Sequence, residues 1–86
     1  MTAEDAILTL TAQRGPASSI CPSEAARALD AENWRQRMGE VRAVAVRLAK
    51  AGRIQILRKG KPVDPDAFKG VIRLRIVDDP DSNPEA

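Results

Sequence analysis

Hydrophobic positions recur with a helical period in the N-terminal half of the chain and with a period of two near its C-terminal end. A first helix is predicted over residues 3–14, and the pair Gly15-Pro16 ends it because Gly permits a left-handed turn and Pro cannot continue the hydrogen-bond ladder. Pro22 suits the first position of a second helix that ends near residue 29. The pattern therefore predicts two short helices before the midpoint of the chain.

A third and longer helix is predicted over residues 33–51, with Gly52 as its stop signal. Its apolar residues step by four, three, four and three, which is typical of a helix that buries one face. Trp34 leads this stripe, so we interpret it as a core anchor, and stacking on a nucleic-acid base is the alternative. The stripe consists of Trp34, Met38, Val41, Ala45 and Leu48.

Past Gly52 the period changes to two, which predicts two half-buried strands. Ile54 and Ile56 mark the first strand. In the second strand, apolar residues alternate with Arg73 and Arg75. The strands are expected to form an antiparallel hairpin with a long loop from residue 60 to residue 70.

Three helices followed by a hairpin predict an α+β fold, the winged helix, with a three-helix helix-turn-helix core and a C-terminal β-hairpin wing. We assign this domain to residues 1–77. Residues 78–86 carry four acidic residues, two prolines and no base, and are predicted to be a disordered acidic tail.

Charge is segregated along the 86 residues, although the formal net charge is only +2. Residues 33–77 hold twelve bases against three acids, which gives +9, whereas residues 1–32 and 78–86 are both net acidic. A basic half of this size favours contact with nucleic acid. A solvated face that keeps the domain soluble is the plainer interpretation.

In a winged helix, the third helix enters the major groove of DNA. We therefore expect a DNA-binding protein with the role of a small transcriptional regulator, with residues 33–51 in the groove and the wing, residues 58–75, on the phosphate backbone. Residues of the first turn of the helix are candidates for reading the edges of the DNA bases. The other basic residues are candidates for binding phosphates. The candidate contacts are Asn33, Arg35, Gln36, Arg42, Arg47, Lys50, Arg58, Lys59, Lys61, Lys69, Arg73 and Arg75.

Other functional classes are disfavoured by the residue types present. The chain has no His and one Cys, so a His-dependent triad and a zinc cluster cannot be assembled, and we expect neither an enzyme nor a metal or cofactor. A single cysteine, Cys21, fits a reducing cytoplasm. The longest apolar run is too short to cross a bilayer, so no membrane partner is expected.

Two partner arrangements remain open beside duplex DNA. The basic face could dock an acidic protein, which would make the chain a protein-interaction module. A homodimer is also conceivable, with Val46 and Leu57 as outward apolar residues.

Three segments of the chain resemble a bacterial family of short, stand-alone winged-helix proteins classed as a domain of unknown function. They are Ile20–Leu29 with its Cys-Pro-Ser-Glu run, Trp34–Ile54, and Lys59–Leu74 with its Lys-Pro-Val-Asp-Pro run. The resemblance covers roughly residues 5–77. It implies the winged-helix fold and brings no activity. Val71 departs from the family pattern, in which Pro is expected after the Gly.

Overall fold

A computed structural model of the protein describes residues 1–77, which form three helices followed by a three-stranded antiparallel sheet. This is the α+β arrangement of a winged helix, as the sequence predicts. The predicted acidic tail, residues 78–86, lies outside the described residues. In chain order the elements are α1 (Ala3–Arg14), α2 (Pro22–Leu29), α3 (Trp34–Lys50), β1 (Ile54–Arg58), β2 (Lys61–Pro62) and β3 (Arg73–Ile76).

The first two helices begin where side chains satisfy the free amides of the first turn. At α1, the Thr2 hydroxyl accepts the Asp5 N–H at 3.1 Å, and the Asp5 carboxylate accepts the Thr2 N–H at 3.4 Å. At α2, the Glu24 carboxylate accepts the Cys21 N–H at 2.8 Å. Local chemistry therefore fixes both helix starts.

The hydrophobic core lies between the helices and the inner face of the sheet. Ile54, Ile56 and Leu74 of the sheet are at most 2% exposed and belong to the same cluster as the buried residues of all three helices. Ile20, in the connector between α1 and α2, pairs with Leu74 through two backbone hydrogen bonds of 2.8 Å. This bridge ties the connector to β3 and closes the helical half onto the sheet.

The wing differs from the predicted long hairpin loop. Lys59 and Gly60 both have positive φ values, +55° and +82°, and they form a two-residue turn between the paired residues Arg58 and Lys61. Positive φ at both central positions is the signature of a type I′ hairpin, which matches the twist of the flanking strands. The turn adds the short strand β2 on one side of β1, while β3 pairs on the other side.

Burial along α3 increases from its start to its end. Val41, Ala45 and Leu48 are buried, whereas Trp34 and Met38 are half-buried and pack against the edge of the core. The predicted inward stripe is therefore confirmed, with an N-terminal end that solvent reaches. No helix in the described part of the chain has the length and apolar character that crossing a bilayer requires.

Leu57 is 5% exposed, so the expectation of an exposed apolar residue at this position is wrong. It lies on the outer face of the sheet, opposite Arg73 in the register of β1 and β3. Val46 is half-buried. Neither of the two apolar residues considered for a homodimer contact is therefore exposed.

Candidate nucleic-acid interface

The segment between β2 and β3 lies along α3. The Lys50 Nζ is 2.6 Å from an Asp66 carboxylate oxygen, and the Arg42 guanidinium stacks over the Phe68 ring at 5.6 Å from its centroid. The Asp64 carboxylate accepts the Asp66 N–H at 2.9 Å and so caps this turn. These contacts bring the wing and the third helix onto one side of the molecule.

Two arginines from different elements meet at Gly70. The Arg42 guanidinium of α3 donates to the Gly70 carbonyl at 3.4 Å. The Arg58 guanidinium, at the end of β1, lies 3.6 Å from the position that a Cβ on Gly70 would occupy. Gly70 has φ +82°, a conformation that residues with a Cβ rarely adopt. The backbone at Gly70 is thus the point where cationic side chains of helix and wing converge.

Strand parity explains why Arg58 reaches this point. Side chains alternate between the two faces of a strand, so Arg58 has the same parity as the buried Ile54 and Ile56. It extends toward the helical side of the sheet, beyond the end of the core. Lys61 is its cross-strand partner and shares that face.

The wing carries three exposed lysines in addition to Arg58. Lys59 is the first residue of the tight turn, Lys61 follows the turn, and Lys69 precedes Gly70. Within residues 1–77, none of these lysines, nor Arg42 or Arg58, lies within ion-pair distance of a carboxylate. We call these five residues the wing cluster: Arg42, Arg58, Lys59, Lys61 and Lys69.

Two predicted contacts in the C-terminal half of α3 have carboxylate partners instead. The Arg47 guanidinium lies 2.8 Å from the Glu4 carboxylate of α1, and Lys50 pairs with Asp66 as described above. Each ion pair joins α3 to another segment. Arg47 and Lys50 are therefore less available to an anionic ligand than the residues of the wing cluster.

The first turn of α3 presents Asn33, Arg35 and Gln36 to solvent, as a base-reading role requires. The Asn33 N–H donates to the Asp30 carboxylate at 3.0 Å, which fixes the turn before the helix. The Arg35 guanidinium stacks on the Trp34 ring, 4.5 Å from its centroid.

Arg73 and Arg75 are the candidate contacts on β3, and Arg73 lines one surface concavity together with Arg58 and Lys59 of the wing cluster. Both β3 arginines belong to the outer face of the sheet, because they pair with Leu57 and Gln55 rather than with the inward isoleucines. Arg73 donates to the Ser19 hydroxyl and carbonyl at 2.8 Å, and Arg75 donates to the Gln55 side-chain carbonyl. The sheet separates these two arginines from α3, so they do not share the surface of the third helix.

One exposed cation in this region was not among the candidates. The Arg27 guanidinium, in the last turn of α2, lies 4.5 Å from the centroid of the Trp34 ring, at the same distance as Arg35. The only signal in the sequence is an arginine near the end of one helix and a tryptophan at the start of the next. The turn between them decides whether they meet, and spacing alone does not give its shape.

Comparisons with known proteins identify the family of this chain. A search of curated proteins found no match to the chain. The model of one protein family matches residues 1–77, which is the whole of the described region and most of the chain. The protein therefore belongs to the family described as "Protein of unknown function (DUF3253)".

Proposed function

We propose that this protein binds duplex DNA through α3 and the wing, as a small transcriptional regulator without a catalytic step. In this arrangement, the exposed first turn of α3 faces the base edges in the major groove. The wing cluster holds the phosphate backbone beside it.

The observation that carries the proposal is the convergence of Arg42 and Arg58 at Gly70. Like charges repel, so two guanidinium groups held at one stretch of backbone favour an anion beside them. A polyanion lying across the cluster relieves the repulsion and releases the counterions condensed on the nucleic acid. The lysines at positions 59, 61 and 69 extend the same surface toward the tip of the wing.

Electrostatic binding of this kind has a quantitative signature. Each phosphate contact adds about one unit to the slope of log affinity against log salt. A protein that uses most of the wing cluster should therefore bind mixed-sequence duplex DNA with micromolar or tighter affinity at low salt, and should lose affinity steeply as salt rises.

Fluorescence anisotropy with a labelled duplex, titrated at several salt concentrations, tests the proposal. The variant Arg58→Ala should weaken binding roughly fivefold to tenfold and reduce the salt slope by about one. Arg53→Ala is the matched control, because Arg53 is an exposed arginine just before the opposite end of β1, about 16 Å away at 3.3 Å per residue. It should change binding far less.

Undetectable binding at low salt would overturn the proposal and favour a module that docks an acidic protein. Equal effects of Arg58→Ala and Arg53→Ala would place the interface elsewhere. The proposed role belongs in the cytoplasm, and a chain with a single cysteine suits that reducing compartment.

A further inference from the structure

A tryptophan flanked by two arginines lies at the junction of α2 and α3. The guanidinium groups of Arg27 and Arg35 are each centred 4.5 Å from the centroid of the Trp34 ring. Both arginines are exposed, while Trp34 is half-buried and packs against the core. The core thus holds the indole in place, and the indole in turn holds two cations at the surface.

Stacking leaves the hydrogen-bonding edge of a guanidinium free. The group is planar, so contact between its face and an aromatic ring leaves the in-plane N–H donors directed outward. The stacked side chain has also lost part of its rotamer freedom before any ligand arrives. Less conformational entropy is then lost when those donors engage an oxyanion.

Neither guanidinium has a carboxylate partner among the residues that the structure describes. The ion pairs there involve other arginines and a lysine, and the neighbouring Asp30 carboxylate accepts the backbone N–H groups of Glu32 and Asn33. Two cations held on one ring are at most about twice the 4.5 Å centroid distance apart, which is within the Debye length of roughly 10 Å at 0.1 M salt. They therefore repel each other until an anion lies between or beside them.

We propose that Arg27 and Arg35, stacked on Trp34, form a second phosphate-binding site that contacts the DNA backbone beside the start of α3. The site rests on the proposed DNA-binding function and extends it to α2, which the candidate contacts did not include. It assigns Arg35 to the phosphates rather than to base edges. Trp34 acts as a positioning residue that holds the two guanidinium groups.

Trp34 is the single tryptophan of the chain, so its emission reports directly on this site. Titration of the full-length protein with two duplexes of unrelated sequence should change the intensity or wavelength of that emission as DNA binds. In parallel anisotropy titrations, Arg27→Ala and Arg35→Ala should each weaken both duplexes alike, roughly fivefold at 0.1 M salt, and lower the salt slope by about one.

Arg53→Ala is again the charge-matched control and should leave the Trp34 emission change intact. Trp34→Phe keeps an aromatic face and should retain most of the affinity, whereas Trp34→Leu keeps apolar volume and should lose affinity to the level of the arginine variants. If Trp34→Leu fails to fold, the two arginine variants still decide the question.

The possible failures can be told apart. DNA binding with an unchanged Trp34 emission, and with Arg27→Ala and Arg35→Ala equal to Arg53→Ala, overturns the second site and leaves the wing interface standing. If Arg35→Ala lowers the affinity for only one of the two duplexes, Arg35 reads bases and its phosphate role is overturned. Absence of DNA binding overturns both proposals.

Discussion

The C-terminal half of α3 and the wing carry the same kinds of basic residue but use them differently. In α3, Arg47 and Lys50 each lie within 2.8 Å of a carboxylate on another segment. In the wing, Arg58 and the neighbouring lysines have no such partner within residues 1–77. Arg47 and Lys50 therefore join segments of the fold, whereas Arg58 and the wing lysines are available to an anionic ligand.

This difference shows that the number of positive charges in a segment overstates its capacity to bind an anion. Both ion pairs are largely exposed, so each stabilises the fold by about 0–1 kcal/mol. Their larger effect is to place a negative charge beside each cation. A phosphate that approaches Arg47 or Lys50 also meets the carboxylate of Glu4 or Asp66, whereas Arg58 and the wing lysines have no carboxylate within ion-pair distance in residues 1–77.

The largest expected effect comes from the wing lysines. The triple variant Lys59→Ala, Lys61→Ala, Lys69→Ala should lower affinity for duplex DNA on the order of 100-fold at 0.1 M salt and reduce the salt slope by about three. Anisotropy titrations across a salt series measure both quantities.

A charge-matched triple variant tests whether the location of the charges matters. The variant Arg37→Ala, Arg47→Ala, Lys50→Ala removes an equal number of positive charges from α3, where each of the three side chains has a carboxylate partner. It should reduce the salt slope by less than one. Equal slopes for the two triple variants would remove the distinction between α3 and the wing.

A glycine in each region gives the next largest effect, with opposite signs. Gly70→Ala places a Cβ at φ +82°, which should lower the free energy of unfolding by about 1–2 kcal/mol. Gly39→Ala, in α3, meets nothing within 4 Å and should raise it by about 0.5–1 kcal/mol. Urea denaturation of both variants measures the change. A Gly70→Ala protein as stable as the original would contradict the strained wing backbone.

The smallest expected effect is a gain of binding. Asp66→Asn removes the carboxylate beside Lys50 and should tighten DNA binding roughly threefold at low salt, because the lysine becomes available to phosphate. Glu24→Gln is the control, since it breaks an ion pair of the same 2.6 Å length between α1 and α2, away from the wing. If both variants tighten binding equally, the change reflects net charge alone.

The sequence predicts the helices well because their signals are local. These signals are the Gly15-Pro16 stop after α1, Pro22 at the first position of α2, and the apolar stripe from Trp34 to Leu48, and each acts within a few residues. The wing was harder to predict. A turn at Lys59-Gly60 requires a positive φ at Lys59, and the residue type does not predict this conformation. The pairing of β1 with β2 makes it favourable.

The candidate interface is only partly predictable for a related reason. Which basic residues acquire a carboxylate depends on contacts between distant segments, such as Arg47 with Glu4, 43 residues apart. The stacking of Arg27 on Trp34 likewise depends on the turn between two helices. The hydrophobic period and the composition of the sequence specify neither the contacts between distant segments nor the shape of that turn.

By itself, the amino-acid sequence determined the three helices, the two longer strands, the inward stripe of α3 and the basic character of residues 33–77, since each depends on neighbours in the chain or on residue type alone. Only the tertiary structure decided where those charges meet. It brought Arg42 and Arg58 together at Gly70, paired Arg47 and Lys50 with acids, and turned Arg73 to the far side of the sheet. The reason is that electrostatic forces depend on distance in space, and the fold sets that distance.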